Sequence, residues 1–222
     1  AGTTGGEMMD AIETEEEYLY GIKGKTVLVQ QDDLFPREDE CREQCDRLNQ
    51  KSFHSGKSMT EKLILDACCG SRMFWFDKSN PDVVFCDKRI VEPFTNQLGL
   101  NIEIKPNILS DFTALPFADG SFRMVVFDPP HLIRAGEKSW IALKYGRLDS
   151  GWKQMIHDGF AECMRVLDDY GVLIFKWSEV QIPLKKVLDA IGEEHKPLFG
   201  HRSGKNMNTH WMAFMKFPQD GR

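Results

Sequence analysis

Met124-Val125-Val126-Phe127-Asp128-Pro129-Pro130-His131 is an apolar run that opens into a carboxylate and a stiff Pro-Pro turn. The run predicts a buried strand. Proline locks φ and carries no N–H, so the chain must leave the sheet at Pro129. Upstream, Leu63-Ile64-Leu65 runs into Asp66-Ala67-Cys68-Cys69-Gly70-Ser71-Arg72, a second strand ending in small residues around an acid. Open α/β sheets bind ligands in the crevice at the carboxyl ends of their strands, so these two ends predict neighbouring halves of one cleft.

Further apolar runs at Val83–Cys86, Ile102–Ile104 and Val172–Trp177 extend the pattern on both sides. Trp152, Met155, Ile156, Phe160, Cys163, Met164 and Leu167 make one helical stripe, with Ser150 placed to cap its start and Gly171 after its end. A second stripe, Leu184, Val187, Leu188 and Ile191, precedes Gly192. Alternating strands and helices predict an α/β fold with a largely parallel sheet covered by helices on both faces. Pro197–Phe199 and His210–Lys216, joined by a turn at His201–Asn206, predict an antiparallel C-terminal hairpin.

Residues 1–58 read as an N-terminal extension. It starts Gly/Thr-rich, turns acidic at Glu15-Glu16-Glu17, and holds a short strand near Thr26–Val29 and a helix over residues 38–49. The regular domain is expected over residues 59–222.

The 222 residues suffice for one domain with an appendage, and 41% hydrophobic with 28% charged residues is an ordinary globular balance. No apolar run approaches the roughly 20 residues of a membrane span, so no membrane partner is expected. The six cysteines, two of them adjacent, form no disulfide framework, and reduced thiols in a cytoplasmic protein are the simplest expectation. Cys41, Cys45 and His54 fall short of a zinc site, so no metal is expected. A net charge of -6 argues against broad affinity for phosphate backbones and leaves room for a local basic patch.

The loop after Leu65 has one glycine, too few for a pyrophosphate cradle, which disfavours a nicotinamide cofactor. A cofactor carrying an ammonium and a sulfonium instead gains from an acid at that turn, and Asp66 supplies it. Asp87, which ends the next strand about twenty residues on, stands where an acid accepts from ribose hydroxyls. Asp111 could accept from an adenine amino group while Phe112 lines the ring.

These positions resemble the class I S-adenosylmethionine-dependent methyltransferases. Asp66-Ala67-Cys68-Cys69-Gly70-Ser71 stands where that family has Asp-x-Gly-x-Gly-x-Gly or, in amino-methylating members, Asp-x-Phe-x-Gly-Ser-Gly; Cys68 and Arg72 depart from it. The resemblance runs from about Met59 to Lys216 and extends to small methyltransferases of phage and bacterial genomes. It implies S-adenosyl-L-methionine as cofactor, a Rossmann-like, mostly parallel seven-stranded sheet, and Asp66, Ala67, Cys68, Gly70, Asp87, Asp111 and Phe112 around the cofactor.

Asp128-Pro129-Pro130-His131 resembles the Asp-Pro-Pro-Tyr motif of methyltransferases acting on amines of DNA and RNA. An exocyclic amine is a poor nucleophile that improves when its N–H groups are held by acceptors. The Asp128 carboxylate and the Pro129 carbonyl can serve, with Pro130 stiffening the turn and His131 in place of the stacking aromatic. Downstream, Arg134, Lys138, Trp140, Lys144, Tyr145 and Arg147 interleave basic and aromatic side chains, which suits a nucleic-acid strand or a flipped base. Trp140, Lys176 and Trp177 are the substrate-binding candidates.

The function expected is N-methylation of an exocyclic amine, adenine N6 before cytosine N4, in DNA or RNA. The alternatives are a methyltransferase of small molecules or protein side chains, which the acidic charge favours, and a non-catalytic binding module on the same fold. With no separate target-recognition domain visible, specificity would come from loops or from a protein partner bound through the N-terminal extension.

Overall fold

The computed structural model describes residues 18–22, 25–29, 63–96, 98–136, 139–203 and 208–218. The helix expected over residues 38–49, the metal candidates Cys41, Cys45 and His54, and Lys138 lie outside them. The chain divides into two compact units, residues 1–36 and 37–222. In the first, β1 (Tyr18–Ile22) and β2 (Lys25–Val29) form an antiparallel hairpin, which includes the strand expected near Thr26.

The second unit is built on a seven-stranded sheet in the order β10-β11-β9-β8-β3-β4-β7. Its strands are β3 (Ile64–Asp66), β4 (Val83–Asp87), β7 (Ile108–Leu109), β8 (Phe122–Phe127), β9 (Leu167–Ser178), β10 (Phe199–Ser203) and β11 (Thr209–Met215). The five strands from β7 to β9 run parallel, while β11 lies antiparallel to both β9 and β10. This is the Rossmann-like, mostly parallel sheet with a C-terminal antiparallel hairpin that the sequence predicts.

The two apolar stripes become helices α2 (Trp152–Val166) and α3 (Leu184–Ile191), and α1 (Trp140–Tyr145) precedes them. The main core joins Leu65, Val84, Cys86, Val125, Phe127, Leu173, Phe175 and Trp177 of the sheet to Ile156, Phe160, Cys163, Val187 and Ile191 of α2 and α3. Residues alternating with these on the strands, Ile64, Val83 and Phe85, gather with Cys69 and Trp75 in a smaller cluster. That split is the period-two geometry of a strand with both faces occupied.

Several local expectations differ from the structure. Ser150 does not cap α2; Gly151 holds that position without a side-chain bond, and the Asp149 carboxylate accepts from the Gly151 N–H at 2.7 Å. The helix ends at Val166 and β9 begins at Leu167, so Gly171 sits inside a strand rather than after a helix. The run at Ile102–Ile104 belongs to a side hairpin, β5 (Val91–Thr95) with β6 (Asn101–Ile104), and the sheet edge beside β4 is β7 instead. The connection from β3 to β4 is made of turns.

Helix α2 approaches the sheet closely at Gly159. A Cβ there would lie 2.5 Å from Phe112 Cδ2 and 2.9 Å from Phe127 Cζ. Gly159→Ala is therefore expected to destabilise the fold by about 1–3 kcal/mol through overpacking. That outweighs alanine's better helix propensity of about 1 kcal/mol, and the urea midpoint is the check. Arg165, near the end of α2, also fixes the loop that follows β7. Its guanidinium donates to the Leu115 and Phe117 carbonyls at 3.0 and 2.8 Å and to the Glu162 carboxylate, which accepts from the Leu115 N–H.

Candidate functional site

Register brings three carboxylates together. Asp66 pairs with Phe85 of β4 on one side and Val126 of β8 on the other, so Asp87 and Asp128 each stand two residues beyond their partners at the same end of the sheet. The Cys68 thiol between them is pushed well up by burial and by the Asp66, Asp128 and Asp87 carboxylates, and so stays protonated. Cys69 is likewise pushed up by burial. Neither thiol is poised as a nucleophile.

Asp66 is fully buried; its Oδ2 accepts from Trp75 Nε1 at 2.7 Å and its Oδ1 from the Cys68 N–H at 3.4 Å. Burial, and less strongly the Asp128 and Asp87 carboxylates, raise its pKa from 3.8 to about 7, with the Trp75 bond working against them. Between those values the folded protein holds a proton that the unfolded chain has lost. The contribution of Asp66 to stability is then fully present below pH 4, falls as pH rises toward 7, and is lost above it. The expected slope approaches 1.4 kcal/mol per pH unit at most, on the order of one proton. Urea unfolding at pH 5.5 and pH 8 is expected to show this difference, and Asp66→Asn to flatten it.

Gly70 carries φ +48°, and a Cβ there would meet only the Lys144 carbonyl at 3.9 Å, so the loop leaves open space above its turn. The Gly70 N–H donates to Asp87 Oδ2 at 2.9 Å, tying the first loop to the end of β4. Asp87 is also gripped by Arg89: Nε donates to Oδ1 at 2.9 Å and a terminal nitrogen to Oδ2 at 3.1 Å. Arg89 reaches the Leu143 carbonyl of α1 at 3.1 Å as well. The predicted ribose acceptor is thus occupied by an arginine fork, which nothing in the sequence pattern announced.

Asp111 is partly exposed, accepting from Thr113 and facing Lys88 at 3.5 Å. The Phe112 ring is buried in the core, with its centroid 5.2 Å from that of Phe127. Ala67 is fully buried, its N–H donating to the Val126 carbonyl. Ser110, buried beside Asp111, has a hydroxyl with no partner among the described residues.

A cleft of about 770 Å³ opens on the other side of the loop, between Gly70-Ser71-Arg72 and the β5–β6 hairpin. Arg72, at φ +52°, lays its guanidinium 3.9 Å over Phe85 and donates to the Lys78 and Lys105 carbonyls, joining the two walls. Asp87, Asp111 and Asp128 do not line this cleft.

At the other half of the site, Pro129 and Pro130 are buried. Gly146, which ends α1 at φ +73°, lets the chain pass Pro130: a Cβ there would lie 2.9 Å from Pro130 Cγ. Gln181 Oε1 accepts from the Ile133 and Arg134 N–H groups at 2.7 Å each, so the loop after β9 holds the segment that follows the prolines. His131 lies 5.7 Å from Tyr145 and 6.4 Å from Trp177 between ring centroids. Burial lowers its pKa, and Lys176 adds to this while Asp128 opposes it. The imidazole is neutral at pH 7, the form suited to stacking.

Lys176 donates directly to Asp128 Oδ2. Its ammonium also stands 5.6 Å from the ring centroids of both Phe74 and Trp211, which contact each other edge-on. Trp177 faces the opposite way. It is fully buried, stacks on Phe175, and donates from Nε1 to the Ile182 carbonyl at 3.0 Å, so it is a core residue and not a substrate contact. Trp140 is half-buried at the start of α1, with Ser139 Oγ capping that helix through the Ala142 N–H. Phe74 and Trp211 escaped the sequence reading, although the run Arg72-Met73-Phe74-Trp75-Phe76 is unusually aromatic.

Among the described residues no helix is long and apolar enough to cross a membrane, and no three His, Cys, Asp or Glu residues gather as metal ligands. No family model and no curated protein matches the chain. Solved structures do. A Pyrococcus horikoshii protein is 14% identical at a TM-score of 0.43, over 69% of this chain and 81% of that one. The 16S rRNA (adenine(1408)-N(1))-methyltransferase of Catenulisporales acidiphilia is 9% identical at 0.41, over 86% and 94%. The N-methyltransferase NodS of Bradyrhizobium japonicum is 11% identical at 0.41, over 82% and 97%.

Proposed function

We propose that the protein is an S-adenosylmethionine-dependent methyltransferase that methylates an exocyclic amine of a nucleic-acid base, adenine N6 before cytosine N4. The observation that carries this reading is the convergence of Asp66, Asp87 and the Asp128-Pro129-Pro130 turn at one end of adjacent parallel strands. A cofactor loop and an amine-gripping turn would then share one crevice.

The residues fit the cofactor with one adjustment. Gly70 leaves room for close approach, Asp111 is accessible, and the unpartnered Ser110 hydroxyl offers a further polar contact. Asp87 can take ribose hydroxyls once Arg89 yields its place. When bound, the cofactor supplies an electrophilic methyl group on a sulfonium. The protein's part is positioning: Asp128 Oδ1 and the Pro129 carbonyl accept from the amine, Asp128 receives the proton the amine gives up, and neutral His131 stacks on the base.

Asp87→Ala is expected to weaken binding of S-adenosylhomocysteine by roughly 10- to 100-fold, the cost of a charged acceptor of about 1.5–3 kcal/mol. Calorimetry is the check, and unchanged affinity would remove Asp87 from the cofactor site.

The function itself is tested by incubating the protein with methyl-labelled S-adenosylmethionine and unmodified RNA, single-stranded DNA, or a cell extract freed of nucleic acid. Digestion to nucleosides and mass spectrometry then follow. Label in N6-methyladenosine or N4-methylcytidine is the expected result. Label confined to the extract would instead favour the small-molecule or protein substrate that the net charge of -6 suits. The part played by the N-terminal extension, including any protein partner it brings, is tested by repeating the assay on residues 59–222.

A further inference from the structure

We propose that Lys176 and Asp128 act as a two-point reader of the target base, Asp128 accepting from the exocyclic amine while Lys176 donates to the ring nitrogen beside it. This rests on the methyltransferase reading and adds the feature that selects the base.

Parallel pairing of Phe127 with Phe175 puts Asp128 and Lys176 side by side at the ends of β8 and β9. Both side chains are largely but not wholly buried, at 19% and 21% exposure, so they sit at the mouth of the site and not in the core. Lys176 spends one N–H on Asp128 Oδ2. An ammonium has three donors, and its other described neighbours are the faces of Phe74 and Trp211. Aromatic faces attract the charge but leave N–H groups without a strong acceptor. Asp128 Oδ1, in turn, has no donor among the described residues.

The pair therefore presents an acceptor and a donor next to each other. Adenine offers the complement in N6–H and N1, and cytosine in N4–H and N3. Uracil and guanine reverse that polarity at O4 with N3–H and at O6 with N1–H. A base lacking the ring nitrogen leaves the largely buried lysine donor without its acceptor, and this kind of mismatch discriminates between bases. Removing the lysine charge should abolish the discrimination while leaving the amine contact in place.

The experiment is equilibrium binding, by NMR titration in the presence of S-adenosylhomocysteine. Adenosine is compared with 1-deazaadenosine, and cytidine with 3-deazacytidine, on the full chain and on Lys176→Met and Lys176→Arg. The wild type is expected to prefer each parent nucleoside by roughly 10- to 100-fold over its deaza analogue. In Lys176→Met both members of a pair should bind alike, and Lys176→Arg should restore part of the preference. Equal losses for parent and analogue in Lys176→Met would assign Lys176 only to holding Asp128 and overturn the proposal. So would a wild type that does not distinguish them, a comparison that stands even if the methionine variant fails to fold. A wild type that binds S-adenosylhomocysteine but none of the nucleosides would overturn the substrate reading together with this inference.

Discussion

Asp128→Asn is expected to lower methyl transfer by roughly 100- to 10000-fold, the range typical of a lost acid–base group, while S-adenosylhomocysteine binds as it does to the wild type. Asparagine keeps the size of the side chain but replaces one acceptor oxygen with an NH2. It also removes the charge that faces Lys176. Lys176 draws the remaining amide oxygen to itself, so the target amine faces an NH2 at that position, keeps only the Pro129 carbonyl as acceptor, and loses its proton sink. None of the bonds described around Gly70 and Asp87 involves Asp128, so the cofactor side should be spared. Single-turnover assays with enzyme in excess, paired with calorimetry, separate the two effects. Equal turnover in the variant would reject the role given to the carboxylate.

Trp177→Ala is expected to destabilise the protein by about 3–5 kcal/mol, as large-to-small changes at buried aromatics do. The indole is fully buried among Phe175, Ile182 and their neighbours, and its N–H would leave the Ile182 carbonyl without that donor. Chemical denaturation measures the loss directly. A stable variant with weakened substrate binding would instead restore Trp177 to the cleft.

Lys176 and Trp177 look alike as substrate candidates in the sequence, but neighbours on a strand point to opposite faces: Lys176 meets Asp128 while the Trp177 ring is buried in the core. Phe112, in the turn after β7, points its ring into the core against Gly159 and Phe127, while its neighbour Asp111 stays partly exposed. The helices α2 and α3 were legible because each carries a long apolar stripe at helical spacing. Helix α1 was not, being six residues of mixed character. The β5–β6 hairpin was hidden because Pro93 interrupts the run around it and Ile102–Ile104 reads like any sheet strand.

Within the site, the three carboxylates were legible as strand ends, since an acid after an apolar run is a local signal. Their partners were not. Lys176 lies 48 residues from Asp128, and Phe74 and Trp211 converge on it from opposite sides in the sequence. Such contacts follow from strand order and register, which no single stretch of sequence encodes. Arg89 is close in sequence to Asp87, but its fork depends on the Leu143 carbonyl of α1 holding its far side.

Calorimetric titration of the wild-type protein with S-adenosylhomocysteine tests the central claim most directly, because the loop of Gly70 and the carboxylate of Asp87 have no other proposed ligand. One saturable site, weakened by Asp87→Ala, is the predicted result. No measurable heat with ligand raised to about 1 mM, the upper end of ordinary enzyme affinities, would contradict the account.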